Sequence, residues 1–141
     1  MKKILLLPIL LIAMCFASCN DDDINTQTLS GEWALTSGNG TISGRTDTFA
    51  FGEITWTFHK NHTVDIVNTV TDTDKLSGLP SGKYNYTVQN SNEVEGCPKK
   101  ITIGTAVFGC ASVSPQEIQI SDGFADGVGY QLVPMPEVIL F

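Results

Sequence analysis

The chain has 141 residues, enough for one domain with a hydrophobic core of its own. Its 8 basic and 15 acidic residues give a formal net charge of −7. Arg45 is the only arginine, so the sequence lacks a basic patch that could neutralise a row of phosphates, and we expect no nucleic-acid partner.

The N-terminus has the layout of a secretory signal. Lys2 and Lys3 precede an apolar run from Ile4 to Phe16, and two small residues complete segment 1–18. A transmembrane anchor is the alternative, but a spanning helix needs about twenty apolar residues, more than this run contains. We therefore predict a signal peptide over residues 1–18.

Cys19 follows this segment directly. The run Phe16-Ala17-Ser18-Cys19 resembles the lipobox of bacterial lipoproteins, in which cleavage leaves the cysteine as a lipidated N-terminus. The resemblance implies that Cys19 is acylated and holds the protein on a lipid bilayer. Several acyl chains would anchor it stably, because each buried methylene contributes about 0.8 kcal/mol and one chain alone is marginal. Cys15 is the competing candidate, but the bulky Met14 precedes it.

Segment 19–28 predicts an acidic, disordered tether. Residues 20–28 are polar and lack any periodicity, and they reach at most about 30 Å when extended. The remaining residues, 29–141, are predicted to form the folded domain.

Eight short segments of this domain alternate apolar and polar residues. They are rich in Thr, Val, Ile and aromatic residues and are separated by Gly, Asn, Asp and Pro. Their inward-facing members in chain order are Trp33 and Leu35; Ile54, Trp56 and Phe58; Val64 and Ile66; Tyr84, Tyr86 and Val88; Ile101 and Ile103; Ala106, Phe108 and Cys110; Ile118 and Ile120; Val128, Tyr130 and Leu132.

This pattern predicts an all-β fold. A period of two is that of a strand with one buried face, and connections this short cannot carry parallel crossovers. We predict a small, antiparallel, up-and-down, eight-stranded β-barrel over residues 29–141. A β-sandwich is the alternative, because it shows the same alternation.

Cys97 and Cys110 are predicted to form a disulfide. An exported protein meets an oxidising environment, where paired cysteines are oxidised by default; a thiolate metal site is the alternative. If the chain turns at Ile103-Gly104, the two cysteines lie directly opposite each other on a hairpin. Residues so paired have Cα atoms about 4.5–5.5 Å apart, which suits a disulfide.

Gly31-Glu32-Trp33 resembles the opening motif of lipocalins. With "GEITWTFHKNHTVDI", "SGKYNYTV", "KITIGTAVFG" and "DGFADGVGYQLV", the chain is similar from about Leu29 to Val133 to the lipocalin-like lipoproteins of Bacteroidetes-type bacteria. The resemblance implies a lipocalin-like barrel that binds a small apolar ligand. Asp21 to Asp23 match an acidic export label after the lipidated cysteine, which implies an outward-facing anchor in the cell outer membrane.

Six aromatic residues share the inward-facing phase and are the candidate ligand-binding residues. They are Trp56, Phe58, Tyr84, Tyr86, Phe108 and Tyr130. They would offer apolar walls with phenolic hydroxyls that orient a ligand, or they would simply fill the core. Segment Gly38–Gly52, which carries Phe49 and Phe51, occupies the place of the first long loop that covers the open end of a lipocalin.

The remaining polar motifs predict no catalytic, metal or cofactor site. His59 and His62 are spaced like two metal ligands, with Asp65 nearby, but further convergent ligands are not evident. Asp72 and Asp74 begin a calcium-like pattern that no glutamate completes. The sequence contains no nucleophile elbow and no cysteine beside a histidine, so we predict a protein that is not an enzyme.

Two further expectations concern surfaces. The alternative function is a protein- or glycan-interaction module that uses loops such as Gly38–Gly52 and Thr71–Ser81 on a rigid barrel. The apolar tail Val138–Phe141 is expected to form an extra edge strand or to plug one barrel end, and the oligomeric state is left open.

Overall fold

The computed structural model describes residues 29–40, 42–123 and 127–136. The predicted signal peptide, Cys19, the tether and the tail Val138–Phe141 lie outside these residues. Within them, no helix is long and apolar enough to cross a membrane. The described residues form nine strands: β1 Gly31–Gly40, β2 Arg45–Thr48, β3 Ile54–Phe58, β4 Thr63–Asn68, β5 Gly82–Asn90, β6 Lys99–Ile103, β7 Ala106–Val113, β8 Ile118–Ser121 and β9 Val128–Pro134.

Eight of these strands close into an antiparallel barrel. The order is β1-β3-β4-β5-β6-β7-β8-β9, and β9 returns to pair with β1 from Trp33↔Pro134 to Gly40↔Val128. Each strand of the barrel runs opposite to its neighbours, so the predicted up-and-down barrel is confirmed. The alternative β-sandwich is wrong, because the β1–β9 pairing leaves one continuous sheet without a seam.

β2 is the additional strand. The first part of β1, Gly31–Ala34, pairs with β3, and its last part, Ser37–Gly40, pairs with β2 on the same side. β2 and β3 therefore follow one another along β1 as two pieces of one broken strand. The sequence did not predict β2, because its four residues, RTDT, are all polar and show no alternation.

The strand directions define two ends of the barrel. The end that we call the base contains the start of β1, the end of β9 and the β3–β4, β5–β6 and β7–β8 connections. The opposite end, which we call the mouth, contains the β1–β2, β4–β5, β6–β7 and β8–β9 connections. Trp33 closes the base: its ring is 3% exposed and its Nε1 donates to the carbonyl oxygen of Leu29 at 2.8 Å.

The core follows from the predicted alternation. In β3, Ile54, Trp56 and Phe58 are buried, whereas the intervening Thr55 and Thr57 are partly exposed. The same inward face of the other strands supplies the aliphatic residues between these rings, including Leu35, Val64, Ile101, Ile103, Ile118 and Leu132.

The predicted Cys97–Cys110 disulfide is present, with the two Cα atoms 5.0 Å apart. The hairpin register that suggested it is wrong. Ile103 pairs with Ala106, because the two turn residues are Gly104 and Thr105 and not Ile103 and Gly104; the φ of Gly104, 59°, suits glycine. Cys97 consequently lies before β6, in the β5–β6 connection, and not opposite Cys110.

A β-bulge contributes to the same difference. Ile101 pairs with Phe108 and Lys99 with Ala111, so two residues of β7 oppose a single residue of β6. Cys110 is one of the two bulged residues and pairs with Ser121 of β8 on the other side. Its predicted inward direction is wrong, because the bulge turns Ala111, which pairs with Ile120 and is 1% exposed, towards the core instead. The disulfide therefore ties the β5–β6 connection to the outer surface of β7.

Candidate functional site: the mouth of the barrel

The six aromatic residues proposed as a ligand site all belong to the interior of the barrel. Trp56, Phe58, Tyr86 and Phe108 are buried in the core, and Tyr84 and Tyr130 are half-buried and pack against it. Their packing shows that they serve at least to fill the core.

The rings form two contacting groups. The Phe58 ring centroid lies 6.2 Å from that of Trp56 and 5.1 Å from that of Tyr86, the latter edge to face. Phe108 and Tyr130 make a second edge-to-face pair at 6.1 Å. Such pairs stabilise a core beyond the area that they bury, so a ligand could not enter among these rings without replacing their contacts.

Two phenolic hydroxyls are engaged within the protein. The Tyr84 hydroxyl donates to the carbonyl oxygen of Pro80 at 2.9 Å, and that of Tyr86 donates to the carbonyl oxygen of His59 at 3.1 Å. These bonds fix the connections at which they end. The prediction that the phenols would orient a ligand therefore does not suit these two residues in the present conformation.

Tyr130 pairs with Gly38 near the mouth end of β1. Burial raises the pKa of its phenol, and the negative charge of Asp122 raises that pKa further. The hydroxyl therefore stays protonated at neutral pH and keeps its ability to donate a hydrogen bond.

Trp56 has the one buried indole N–H without a hydrogen-bond partner in the described part of the chain. Its side chain is 0% exposed, and Nε1 has no acceptor, in contrast to Nε1 of Trp33. Leaving a buried donor unsatisfied costs roughly 1–3 kcal/mol. Trp56 is therefore the position in the core where an acceptor from outside the protein would contribute most.

The β4–β5 connection, residues 69–81, covers this position, and we call it the mouth loop. Its Gly78 lies against the core: a Cβ there would be 3.2 Å from Leu35 Cδ1 and 3.4 Å from Trp56 Cζ2. Cζ2 belongs to the side of the indole that carries Nε1. Val70 and Leu79 of the mouth loop also pack against the core, so the mouth is closed in this structure.

The mouth loop rests on a glycine of β1. A Cβ on Gly38 would lie 2.0 Å from the carbonyl oxygen of Leu76 and 2.8 Å from Leu76 Cβ. Only glycine allows the two backbones to approach so closely. Gly38 is thus the seat of the mouth loop on the barrel wall.

Asp47 of β2 holds the mouth loop from one side. Its carboxylate accepts the backbone N–H of Leu76 at 2.9 Å and the side chain of Arg45 at 3.0 Å. The bond from Leu76, with a smaller effect of Arg45, lowers the pKa of Asp47 below its ordinary value. The carboxylate is therefore ionised at neutral pH and acts as a latch between β2 and the mouth loop.

Asn68, the last residue of β4, holds the other side. Its Nδ2 donates to the carbonyl oxygens of Ser77 at 3.0 Å and Leu79 at 3.1 Å. The Ser81 hydroxyl accepts the Asn68 backbone N–H at 2.8 Å. The side-chain amide of Asn68 therefore fixes the conformation of the second half of the mouth loop through its hydrogen bonds.

The predicted cover of the open end is wrong. Segment Gly38–Gly52 forms the end of β1, β2 and their connections, and the mouth loop covers the barrel instead. Phe49 is 8% exposed and belongs to the core, with Lys75 Nζ 6.0 Å from its ring centroid. Phe51, by contrast, is 54% exposed.

The two histidines lie at the base, far from the mouth. His59 Nε2 is 2.8 Å from Asp65 Oδ2, and Lys83 Nζ is 3.5 Å from the other oxygen of that carboxylate. His62 has a φ of 62°, and its ring lies 5.7 Å from that of Tyr86. The described residues bring together no group of three or more His, Cys, Asp or Glu side chains that could hold a metal ion.

No protein-family model, curated protein or solved structure matches the chain. The class of the protein therefore rests on its own fold: a small, closed, antiparallel β-barrel whose mouth is covered by a loop.

Sequence reasoning missed the residues that hold this cover, namely Gly38, Asp47, Asn68 and Leu76. Their only signals were local. Gly38 is a glycine within a strand of alternating apolar and polar residues, and Asn68 immediately precedes a long connection. Neither signal names the partner across the mouth, because the partners lie far apart in sequence.

Proposed function

We propose that this protein is a lipid-anchored, lipocalin-like binding protein of the outer membrane that captures a small, mostly apolar molecule beneath the mouth loop. The observation that carries the proposal is the buried, unpartnered N–H of Trp56 directly below that loop. The molecule would have apolar surface for the walls and one oxygen or nitrogen acceptor for the indole.

The surroundings of Trp56 beneath the mouth loop are mostly apolar. Side-chain atoms of Leu35, Trp56 and Tyr130 converge beside Gly78 of the loop. Binding sites for small molecules commonly combine apolar walls with a few polar groups that set the orientation. An acceptor placed on Trp56 Nε1 would remove the penalty of the unpaired donor, which a purely apolar occupant would leave in place.

Binding requires the mouth loop to move. Gly78 lies against Trp56, and Val70 and Leu79 pack on the core, so a ligand would displace the loop and take over these apolar contacts. The loop is held by polar contacts to Asp47 and Asn68, it rests on Gly38 of β1, and its own Gly78 lies against the core. Polar contacts of this kind can break and form again at small net free-energy cost.

The proposed anchor suits this orientation. Residue 29 and the end of β9 both lie at the base. A tether from acylated Cys19 to residue 29 would attach the base to the bilayer and point the mouth away from it. The support for the anchor is the sequence around Cys19. Metabolic labelling with a palmitate analogue is expected to mark the full chain and to fail for Cys19→Ala; labelling of that variant would contradict the anchor.

Ligand capture is tested on the full chain purified in detergent. Native mass spectrometry with solvent extraction is expected to reveal a co-purifying small molecule, and its addition to delipidated protein should change tryptophan fluorescence. Trp56→Phe keeps an aromatic ring but removes the N–H, so it should weaken binding. Trp33→Phe is the matched control, because its N–H already has an acceptor at the base.

Two results would contradict ligand capture beneath the mouth loop. Equal binding by the wild type and Trp56→Phe would contradict the role of the indole N–H. Absence of an extracted molecule, together with no fluorescence response to a panel of fatty acids and sterols, would contradict capture in the barrel.

A second candidate function is a protein- or glycan-interaction module that uses the mouth rim. It is favoured by the exposure of Ile42, on the β1–β2 connection, and of Phe51, which are 77% and 54% exposed. Exposed apolar side chains on loops are common anchors of interfaces. Under this function Ile42→Ser would abolish capture of a partner, and Trp56→Phe would leave it unchanged.

A further inference from the structure

The outer face of the barrel carries two rows of uncharged side chains across β7, β8, β9 and β1. The strand registers place one residue of each strand side by side in each row. The upper row is Cys110, Ser121, Gly129 and Asn39, and the lower row is Ser112, Gln119, Gln131 and Ser37. Inward-facing Ile120, Tyr130 and Leu132 alternate with them, so these rows belong to the outside of the sheet.

The amides of the lower row are held in place. Glu117, in the connection before β8, accepts Gln119 Nε2 at 2.8 Å and also accepts Gln131 Nε2. The hydroxyl of Ser37, which is 9% exposed, donates to Gln131 Oε1 at 3.4 Å. These contacts fix two amide planes side by side before any ligand arrives.

The upper row leaves a depression beside these amides. Gly129 has no side chain and Ser121 a small one, and the resulting concavity has a volume of about 270 Å³. Asn39 bounds it on one side and Cys110 of the disulfide on the other. Pockets for drug-sized ligands begin at about 300 Å³, so this depression suits a molecule the size of a single ring.

The chemistry of the depression narrows the class of ligand. None of the eight residues in the two rows carries a charge, so the depression has no charged side chain of its own with which to select an ion. β8 pairs with β7 and β9, and β9 pairs with β8 and β1, so no backbone edge is open here for an extended peptide. Recognition must therefore come from amides and hydroxyls.

We propose that this depression, which we call the outer groove, binds one residue of a neutral saccharide. Each glutamine amide has two N–H donors and two acceptor lone pairs, and Glu117 engages one N–H of each. The amides therefore keep donors and acceptors at fixed positions, and serine hydroxyls lie beside them. A polyhydroxylated ring offers the complementary mixture of donors and acceptors at this size.

The outer groove is separate from the mouth, since its side chains point away from the barrel interior. The proposed saccharide site therefore does not depend on ligand capture beneath the mouth loop, and each proposal can be tested without the other.

The test uses two-dimensional ¹H–¹⁵N NMR of the folded chain, titrated with glucose, galactose, mannose and N-acetylglucosamine in turn. At least one sugar is expected to shift the amide signals of Gln119, Ser121, Gly129 and Gln131 in a saturable manner. Gly129→Val fills the floor of the groove and should abolish these shifts. Thr87→Val is the matched control, an outward-facing change on β5, and should leave them intact.

A second variant tests the hydrogen bonds. Gln119→Ala removes one neutral donor and acceptor and should weaken saccharide binding by about three- to tenfold. The thermal midpoint of each variant is measured to confirm that it folds. A Gly129→Val variant that does not fold is replaced by Ser121→Val, which narrows the same floor.

Three results would overturn the proposal: no saturable shift with any of the four sugars, shifts that persist in folded Gly129→Val, or shifts by the neutral peptide N-acetylalanine methylamide but by none of the sugars.

Discussion

Replacing Gly38 by alanine is expected to lift the mouth loop. The added Cβ would lie 2.0 Å from the carbonyl oxygen of Leu76 and 3.0 Å from its carbonyl carbon. Both are backbone atoms, so no side-chain rotation relieves the clash. Either β1 bends away from the loop or the loop leaves its seat, and the pairing of β1 with both β2 and β9 makes the loop the easier part to move.

The magnitude follows from the size of the clash. Adding one methyl group to a well-packed position commonly costs about 1–3 kcal/mol, and a backbone obstacle places Gly38→Ala in the upper part of this range. For a domain of this size the corresponding fall in the thermal midpoint is roughly 5–15 °C. Part of the loss comes from Val70 and Leu79, which pack on the core only while the loop is seated.

Two measurements follow the same variant. Urea unfolding reports the free energy, and acrylamide quenching of tryptophan fluorescence reports access to Trp56 below the loop. Gly129→Ala is the control, because its Cβ would be 3.5 Å from the nearest side chain, an ordinary contact, and we expect a change within about 0.5 kcal/mol. A Gly38→Ala protein with wild-type stability and wild-type quenching would refute the assignment of Gly38 as the seat of the loop.

Three further changes have defined outcomes. Asp47→Asn should increase hydrogen exchange of the Leu76 amide without unfolding the barrel, since it weakens one bond of the latch. Folding lowers the pKa of Asp47, so the ionised carboxylate stabilises the seated loop at pH values above the ordinary pKa of 3.8. This stabilisation is lost as the pH falls through the lowered pKa. Hydrogen exchange of the Leu76 amide that stays constant through this acid range would contradict the latch. Replacing Cys97 and Cys110 together by serine, which opens a loop with a sequence separation of 13, should lower the unfolding free energy by about 3 kcal/mol, and a wild-type urea midpoint would contradict this. In the wild type, His59 and, to a lesser extent, Lys83 stabilise the ionised carboxylate of Asp65, and this stabilisation is lost on acidification. Asp65→Asn should remove this part of the pH dependence. A variant whose thermal midpoint falls on acidification as much as that of the wild type would contradict the role of Asp65.

The sequence predicts the barrel because burial imposes a period of two on each strand. All eight alternating segments became barrel strands, and the aromatic members of β3 and β5 face inward. β2 was missed for the same physical reason, since it lies along the rim of β1 and needs no apolar face. Alternation detects burial, and a strand that buries no apolar side chain carries no such pattern.

Register was harder to predict than strand identity. The disulfide partners were correct, yet their strands pair two positions away from the predicted register. The turn at Gly104-Thr105 moves the register by two positions, which preserves the inward direction of Phe108 while placing Ile101 opposite it. The bulge in β7 acts after Phe108 and moves the inward face from Cys110, as predicted, to Ala111, which is 1% exposed. A shift of two positions keeps every side chain on its face, so the alternation cannot reveal it. The bulge changes the phase of the strand after Phe108, and the small residues Gly109, Cys110 and Ala111 give too weak a hydrophobic signal to show the change.

The mouth depends on contacts that no local pattern contains. The bond between Asp47 and Leu76 spans 29 residues, and it forms only because the barrel has already brought β2 beside the β4–β5 connection. The unpaired N–H of Trp56 arises in the same way: the strand places the ring inward, and the loop that covers it presents Gly78, which has no side chain to accept the bond. The unpaired N–H beneath the mouth loop is therefore a feature of the assembled barrel. It is the physical reason to look for the ligand beside Trp56 at the mouth and not among the edge-to-face ring pairs of the core.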